Sequence, residues 1–307
     1  MAVGCRVAPM GEPAEKLLVI RKISMNHVLS THLFVNHRLT SVWLDKIWDA
    51  GIPKVEIFCA RQHLDWTNRA QVQELGHWFR DSRLQLHSLH LPMHTDDVWG
   101  RSGPQAVLTI TEPSKPKRIA MVDEIKRAIE VVETIPAKYL IQHLGVGNEE
   151  WDERKMDAAL SSLEELNLFA KQRGAEILLE NIPNHLSSGE RLLRFLEFTH
   201  LDMHFCFDTG HANLMEGVEP AFDAMKERIR STHVHDNDGE ADKHLFPFFA
   251  EGGTIPWKKT MQLLASRPDQ YPLLLELKES PDFADPFEQV KQIFDKLEAL
   301  TLEEQPR

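Results

Sequence analysis

Cysteine is scarce: Cys5, Cys59 and Cys206 are the only three in 307 residues, and none stands in CxxC spacing. So scattered a set argues against a disulfide framework and against a thiolate zinc site. There is no long apolar run and no secretory leader, so a cytoplasmic protein without a membrane partner is expected. No block rich in Lys and Arg occurs either, and the net charge is −12. Such a surface repels a polyanion, which makes nucleic acid a disfavoured partner. No Pro/Gly/Ser-rich linker divides the chain. With 42% hydrophobic residues the length fits one large α/β barrel or two ordinary domains, and one domain is the simpler reading.

Short apolar runs alternate with longer amphipathic segments. The runs at 27–34, 54–58, 84–90, 138–143, 175–180, 203–207, 231–235 and 271–276 are candidate strands. The segments at 40–50, 69–82, 117–135, 152–173, 188–199, 218–229, 256–266 and 285–300 have helical spacing. Strand and helix repeated eight times is the pattern of a parallel closed (β/α)8 barrel, expected over 25–300, with a loosely patterned extension at 1–24 and a tail at 301–307. Thr40 and Ser41 are candidate caps, Pro116 precedes a helical pattern, and Gly174 falls where a helix should stop. The connection at 92–116 is long and rich in Pro, Gly and Asp; it reads either as a substrate lid or as an irregular surface excursion.

Chemistry in such a barrel gathers at the carboxyl ends of the strands. There the sequence offers His90 after the third run, His143 after the fourth, Glu180 after the fifth, Asp208 and His211 after the sixth, and Glu276 after the eighth. The seventh ends at His235, and the loop behind it carries Asp242 and His244. A lone His on an apolar strand usually just finds a structural partner. Glu180 and Glu276 each follow an apolar run, where a carboxylate needs a cation or a donor to offset its desolvation. Imidazole and carboxylate together suit a divalent ion such as Zn, Mn or Fe. Weaker candidates are His32 and Glu56 at the same mouth, and Arg61 and Gln62 for an anionic or hydroxylated substrate group. Trp66, Trp99 and Trp257 are candidate apolar walls.

With those residues in place the sequence resembles the xylose isomerase-like TIM barrel superfamily, over about residues 25–300. That group holds sugar and sugar-phosphate isomerases and epimerases together with the endonuclease IV type of apurinic endonuclease. The resemblance implies a divalent metal (Mn, Zn, Fe, Co or Mg) on Glu180, Asp208, His235 and Glu276, with His211 matching the histidine of the DTxH motif. HDNDGEADKH is similar to the segment that supplies further zinc ligands in endonuclease IV. Asp242 and His244 match it, and His90 and His143 match its two early histidines, which would complete a site for two or three ions. The uncharacterised isomerase/epimerase-like proteins commonly continue this loop as GEG-x-I; here it reads AEGGTIPW, which leaves Glu251 without an assigned role.

The resemblance and the charge together imply a metal-dependent sugar or sugar-phosphate isomerase or epimerase, working by proton transfer through a metal-stabilised enediolate. Glu180, Glu276 and His211 would be its catalytic residues, and Glu56, Arg61 and Trp257 substrate contacts. The partner would be a small carbohydrate, and the outer helices leave room for a homo-oligomer. The alternatives are an endonuclease IV-like metal-dependent phosphodiesterase and a barrel that binds sugar or metal without turnover, since a fold does not fix a function.

Overall fold

The computed structural model describes residues 25–98, 101–267 and 270–301. Its strands are β1 (His27–Ser30), β2 (Lys54–Phe58), β3 (Gln85–His90), β4 (Tyr139–His143), β5 (Glu176–Glu180), β6 (His204–Asp208), β7 (Ile229–His233) and β8 (Leu273–Leu275). They form one parallel sheet in the order β7-β6-β5-β4-β3-β2-β1-β8. The ring is completed by a single bridge, in which Val234 N–H donates to Leu274 O at 2.8 Å and Glu276 N–H to Val234 O at 3.2 Å. The chain is therefore a (β/α)8 barrel.

The outer helices are α1 (Ser41–Asp49), α2 (Arg69–Asp81), α3 (Lys115–Ile129), α4 (Glu153–Lys171), α5 (Gly189–Phe198), the short α6 (Thr209–Leu214), α7 (Val218–Met225), α8 (Trp257–Ala265) and α9 (Pro286–Ala299). Their starts follow local chemistry. Asn68, Asp152, Ser188 and Asp285 each accept a backbone N–H of the first turn, and Pro116 sits inside the first turn of α3. Gly174, at φ +75°, takes the left-handed turn after α4.

Alternation along each strand separates two interiors. Leu179, Phe205, Phe207, Leu273 and Leu275 face outward into the large core shared with the helices. Tyr139, Ile141, Leu178 and Cys206 pack together inside the barrel. The residues two further on, His143, Glu180 and Asp208, share that inner face and stand above this plug, as Glu276 does two residues beyond Leu274. Both remaining cysteines, Cys59 and Cys206, are buried and free.

Two expected strands are displaced. The first stops at Ser30, because its hydroxyl accepts His32 N–H at 3.3 Å and opens a 3-10 turn over Thr31–Phe34. The seventh lies at 229–233 rather than 231–235, so His235 stands just past its end. Helix α6 matches none of the expected helices; Asp208, its N-cap, accepts His211 N–H at 2.6 Å.

Candidate metal centre

The carboxyl ends of the strands surround a cavity of about 600 Å3. Of the site residues expected from sequence, His90, His143, Glu180, His211, Asp242, His244 and Glu276 line it, and so does His32. Asp208 and His235 lie fully buried behind them.

Four imidazoles are held in one way. Nδ1 donates to a backbone carbonyl: His90 to Leu91 O at 3.0 Å, His211 to Asn181 O at 2.9 Å, His235 to Asp236 O at 3.3 Å and His244 to Glu276 O at 2.9 Å. Nε2 is thereby turned toward a carboxylate. His235 Nε2 lies 3.1 Å from Asp208 Oδ2, while His211 and His244 Nε2 lie 3.1 and 3.2 Å from Asp242 Oδ2. His90 Nε2 is 3.2 Å from His143 Nε2 and 3.5 Å from Glu180 Oε2. Fixing one ring nitrogen on a carbonyl and freeing the other is how a protein orients histidine for a metal. His244 keeps its orientation from a left-handed backbone, φ +48°, a conformation that costs a non-glycine residue strain energy.

The ligand atoms fall into four groups, each within 4.8 Å: His90, His143 and Glu180; Glu180, Asp208, His233 and Glu276; His211, His235, Asp242 and His244; and Glu180, Cys206 and His233, so that Glu180 is common to all but the third. Buried Glu276 Oε1 has no hydrogen-bond partner. Hard carboxylates interleaved with imidazoles, one with an unmatched buried oxygen, fit a borderline divalent cation.

His233 has no place in the sequence-based set, yet it sits at the centre of the floor. Its Nδ1 lies 3.0 Å from Glu180 Oε1 and 3.3 Å from Glu276 Oε2, and its Nε2 lies 3.2 Å from Glu56 Oε1. The signal that could have found it is Thr-His-Val-His: residues two apart on a strand share a face, so His233 points where His235 points, one layer lower. Both its nitrogens face carboxylates, unlike the carbonyl-anchored rings above it. Burial works against a charge on this ring, but Glu276, Glu180 and Glu56 are among the groups that hold its pKa well above the usual imidazole value.

The same contest recurs across the site. Burial opposes charge on His244 and His211, and the carboxylates prevail: Asp242 and its neighbours lift His244 to about 9, and Asp208 and Asp242 hold His211 well above its ordinary value. Burial would raise the Glu180 pKa, but His233 and His143 bring it well down. At Glu276 burial wins over His233 and His244, and the pKa is raised.

Other expected contacts lie elsewhere. Glu56 is beneath the floor, where it accepts Ser88 Oγ–H at 2.7 Å and faces His233. Arg61 lines a small crevice beside the cavity and pairs with Asp97 and Glu124, each at 3.6 Å. Gln62 donates to Val35 O, and Trp66 Nε1 to Glu124 Oε1 at 2.9 Å. Trp257 is buried, and its indole N–H donates to Asp236 Oδ2 at 2.7 Å. Asp236 Oδ1 accepts Asn237, Thr254 and Ile255 N–H, and a Cβ at Gly253 would fall 2.5 Å from Asp236 Oδ2. The GGTIPW segment is thus a latch that holds the His235 loop, with Glu251 exposed outside it. Trp99 lies outside the described residues. In the connection expected at 92–116, His94 and Val107 pair antiparallel, and Met93, His94, Val107 and Leu108 form one rim of the cavity.

The family model for the xylose isomerase-like TIM barrel matches residues 44–300, and the chain belongs to that family. An uncharacterised protein of Methanocaldococcus jannaschii is 27% identical over 134 residues, 42% of this chain and 51% of its own length. An inosose dehydratase of Yersinia enterocolitica is 29% identical over 146 residues, covering 40% of this chain and 48% of the dehydratase. A probable endonuclease 4 of Natronomonas pharaonis is 25% identical over 150 residues, 44% and 53% of the two chains. The chain therefore spans about half the length of these curated relatives. Among solved structures, a D-tagatose 3-epimerase-like protein superposes with a TM-score of 0.72 at 21% identity, covering 90% of this chain and 98% of its own. The IolI protein with a bound zinc atom has a TM-score of 0.68 at 15% identity, with 92% and 100% covered. Among the described residues no helix is long and apolar enough to cross a membrane.

Proposed function

We propose that this chain is a divalent-metal-dependent isomerase or epimerase of a small carbohydrate. The observation that carries the reading is the shared position of Glu180 and Glu276, two buried carboxylates that approach the same His233 Nδ1 at 3.0 and 3.3 Å from different strands. The metal would be held by Glu180, Asp208 and Glu276, which group with His233 in this structure, and by His235, which reaches Asp208 at 3.1 Å and would close on the other carboxylates around the ion; it would polarise a carbonyl oxygen and stabilise charge developing there. Glu180 and Glu276 would address opposite faces of a substrate carbon, one removing the α proton and the other returning it. His211, pinned by Asn181 and Asp208, would donate toward a substrate oxygen. His90, His143, Asp242 and His244 would complete the rim, as ligands or as substrate contacts. The matched inosose dehydratase fits the same first step, since removal of an α proton leads to dehydration when a β-hydroxyl leaves.

The separate groups of ligand atoms, Glu180 being common to all but the third, favour a second reading, a zinc phosphodiesterase that would use more than one ion. Proton exchange separates the two. Metal-loaded protein in D2O with a panel of keto-sugars and inososes should place deuterium at the carbon next to the carbonyl, read by NMR. Absence of exchange together with cleavage of abasic-site DNA would reverse the order of the two readings.

A further inference from the structure

The cavity carries a charge and a texture that the metal centre does not require. Its polar floor contributes the carboxylates of Glu180 and Glu276, and its rim those of Asp242 and Glu240. Among the described residues no Lys or Arg lines it. Of the basic residues nearby in sequence, Lys243 is paired with Asp238 and Arg61 with Asp97 and Glu124, while Lys278, two residues after Glu276, is exposed outside the cavity lining. A phosphate carried away from the reacting carbons would find no guanidinium or ammonium to receive it, since the cationic groups of the cavity are the imidazoles of the floor, already engaged by Asp208 and Asp242.

Apart from His32, His94, Asn148 and the backbone at 145–147, the rest of the wall is apolar. Met93, Val107 and Leu108 come from the paired arms after β3, Ile182 follows β5, and Leu214 and Met215 end α6. Met215 is partly exposed at the mouth, beside Leu214. These side chains offer nothing to a ring of hydroxyls, each of which would give up water without a partner. The volume, about 600 Å3, lies in the roughly 300–1,000 Å3 span of pockets for drug-sized ligands, which leaves room beside a sugar ring.

We infer that the site, on the isomerase reading given above, takes an unphosphorylated sugar or polyol that carries an apolar substituent. The polyol part lies on the carboxylate and imidazole floor, and the substituent lies against Leu108, Ile182, Leu214 and Met215. The protein is then a poor enzyme for sugar phosphates, whatever metal it holds.

Calorimetric titration of zinc-loaded protein with methyl β-D-glucopyranoside, phenyl β-D-glucopyranoside and glucose 6-phosphate tests this. The phenyl glycoside should bind at least tenfold more tightly than the methyl glycoside, and the phosphate at least tenfold more weakly. In the double variant Leu108→Ser/Leu214→Ser the phenyl advantage should fall below twofold at unchanged zinc content, which reports an intact centre. Equal or tighter binding of the phosphate overturns the inference, as does a phenyl group that gains nothing in the wild type, or no binding of any of the three. Failure of the isomerase reading shows differently: the binding order holds, but no keto-sugar exchanges its α proton.

Discussion

An alanine Cβ built at Gly210 would lie 2.0 Å from Cε1 of His235. The glycine of Asp208-Thr209-Gly210-His211 therefore makes room for an imidazole from the next strand. That ring in turn stacks on His244 at 3.9 Å between centroids, so the spacing is relayed to a third element.

Gly210→Ala should push His235 off Asp208 while the barrel stays folded. Disturbing an orienting contact of a metal ligand typically costs 10–100-fold in metal affinity or activity, and a loss of that size is expected here. Zinc competition with a chromophoric chelator reads it, and circular dichroism checks the fold. Retained affinity would remove His235 from the ligand set.

Glu180→Gln and Glu276→Gln should each lower turnover by at least the 10²–10⁴-fold that general acid–base catalysis supplies. Single-turnover proton exchange is the measurement to use, because it separates the chemical step from product release. A near-normal rate in either variant would refute its assigned role.

Metal content per chain, read by plasma mass spectrometry on protein purified without chelator, distinguishes one ion from several. Two or three ions in the wild type, falling in Asp242→Ala/His244→Ala, are expected if the third group of ligand atoms binds. One ion, unchanged by the double substitution, leaves both residues as substrate contacts or as supports of the loop.

Acid should destabilise the fold through two histidines away from the centre. Burial pushes His63 and His87 each down to about 4, and they bond neutral to His37 O and near Ser231 Oγ at 3.1 Å. The unfolded chain protonates them near 6.5, so their contribution is present above pH 6.5 and is lost as pH falls toward 4. Each ring accounts for on the order of 3 kcal/mol at most. Urea unfolding of chelator-treated protein from pH 7.5 to 4.5 should show this slope, reduced in His87→Gln. His211 and His244, raised in the fold, are protonated in both states only below about pH 6, where they add no slope; from pH 6.5 to 7.5 the unfolded chain gives up their protons first, so they oppose the gain with rising pH, and the histidine slope is read between pH 6 and 4.5. A pH profile identical to wild type in His87→Gln would contradict the assignment.

Period and spacing made the barrel legible, since alternation within strands and amphipathic helices between them are properties of neighbouring residues. Strand β2 falls where its KVEIF pattern put it, and α5, α8 and α9 begin and end within one residue of the expected bounds. Boundaries failed where a side chain from elsewhere decided them. Thr31 Oγ accepts Phe58 N–H at 3.0 Å and ties the turn after β1 to the neighbouring strand, a contact 27 residues away in sequence. At the site, the carboxylates and imidazoles at the strand ends were readable because a parallel barrel delivers every strand end to one mouth.

What the sequence by itself determined was the inventory: a parallel barrel, an acidic surface, and metal-compatible groups at the ends of its strands. Only the tertiary structure decided depth. Glu56 and His233 share the inner face with the residues above them, and pleating alone puts His233 and His235 on the same side. Strand stagger and the closure at Val234 and Leu275 then set one in the floor, over Glu56, and the other beside Asp208. Trp257, whose composition suits a substrate wall, belongs instead to the latch on Asp236, because a buried carboxylate needs every donor it can reach. Such choices depend on partners tens of residues apart, and local pattern carries no information about them.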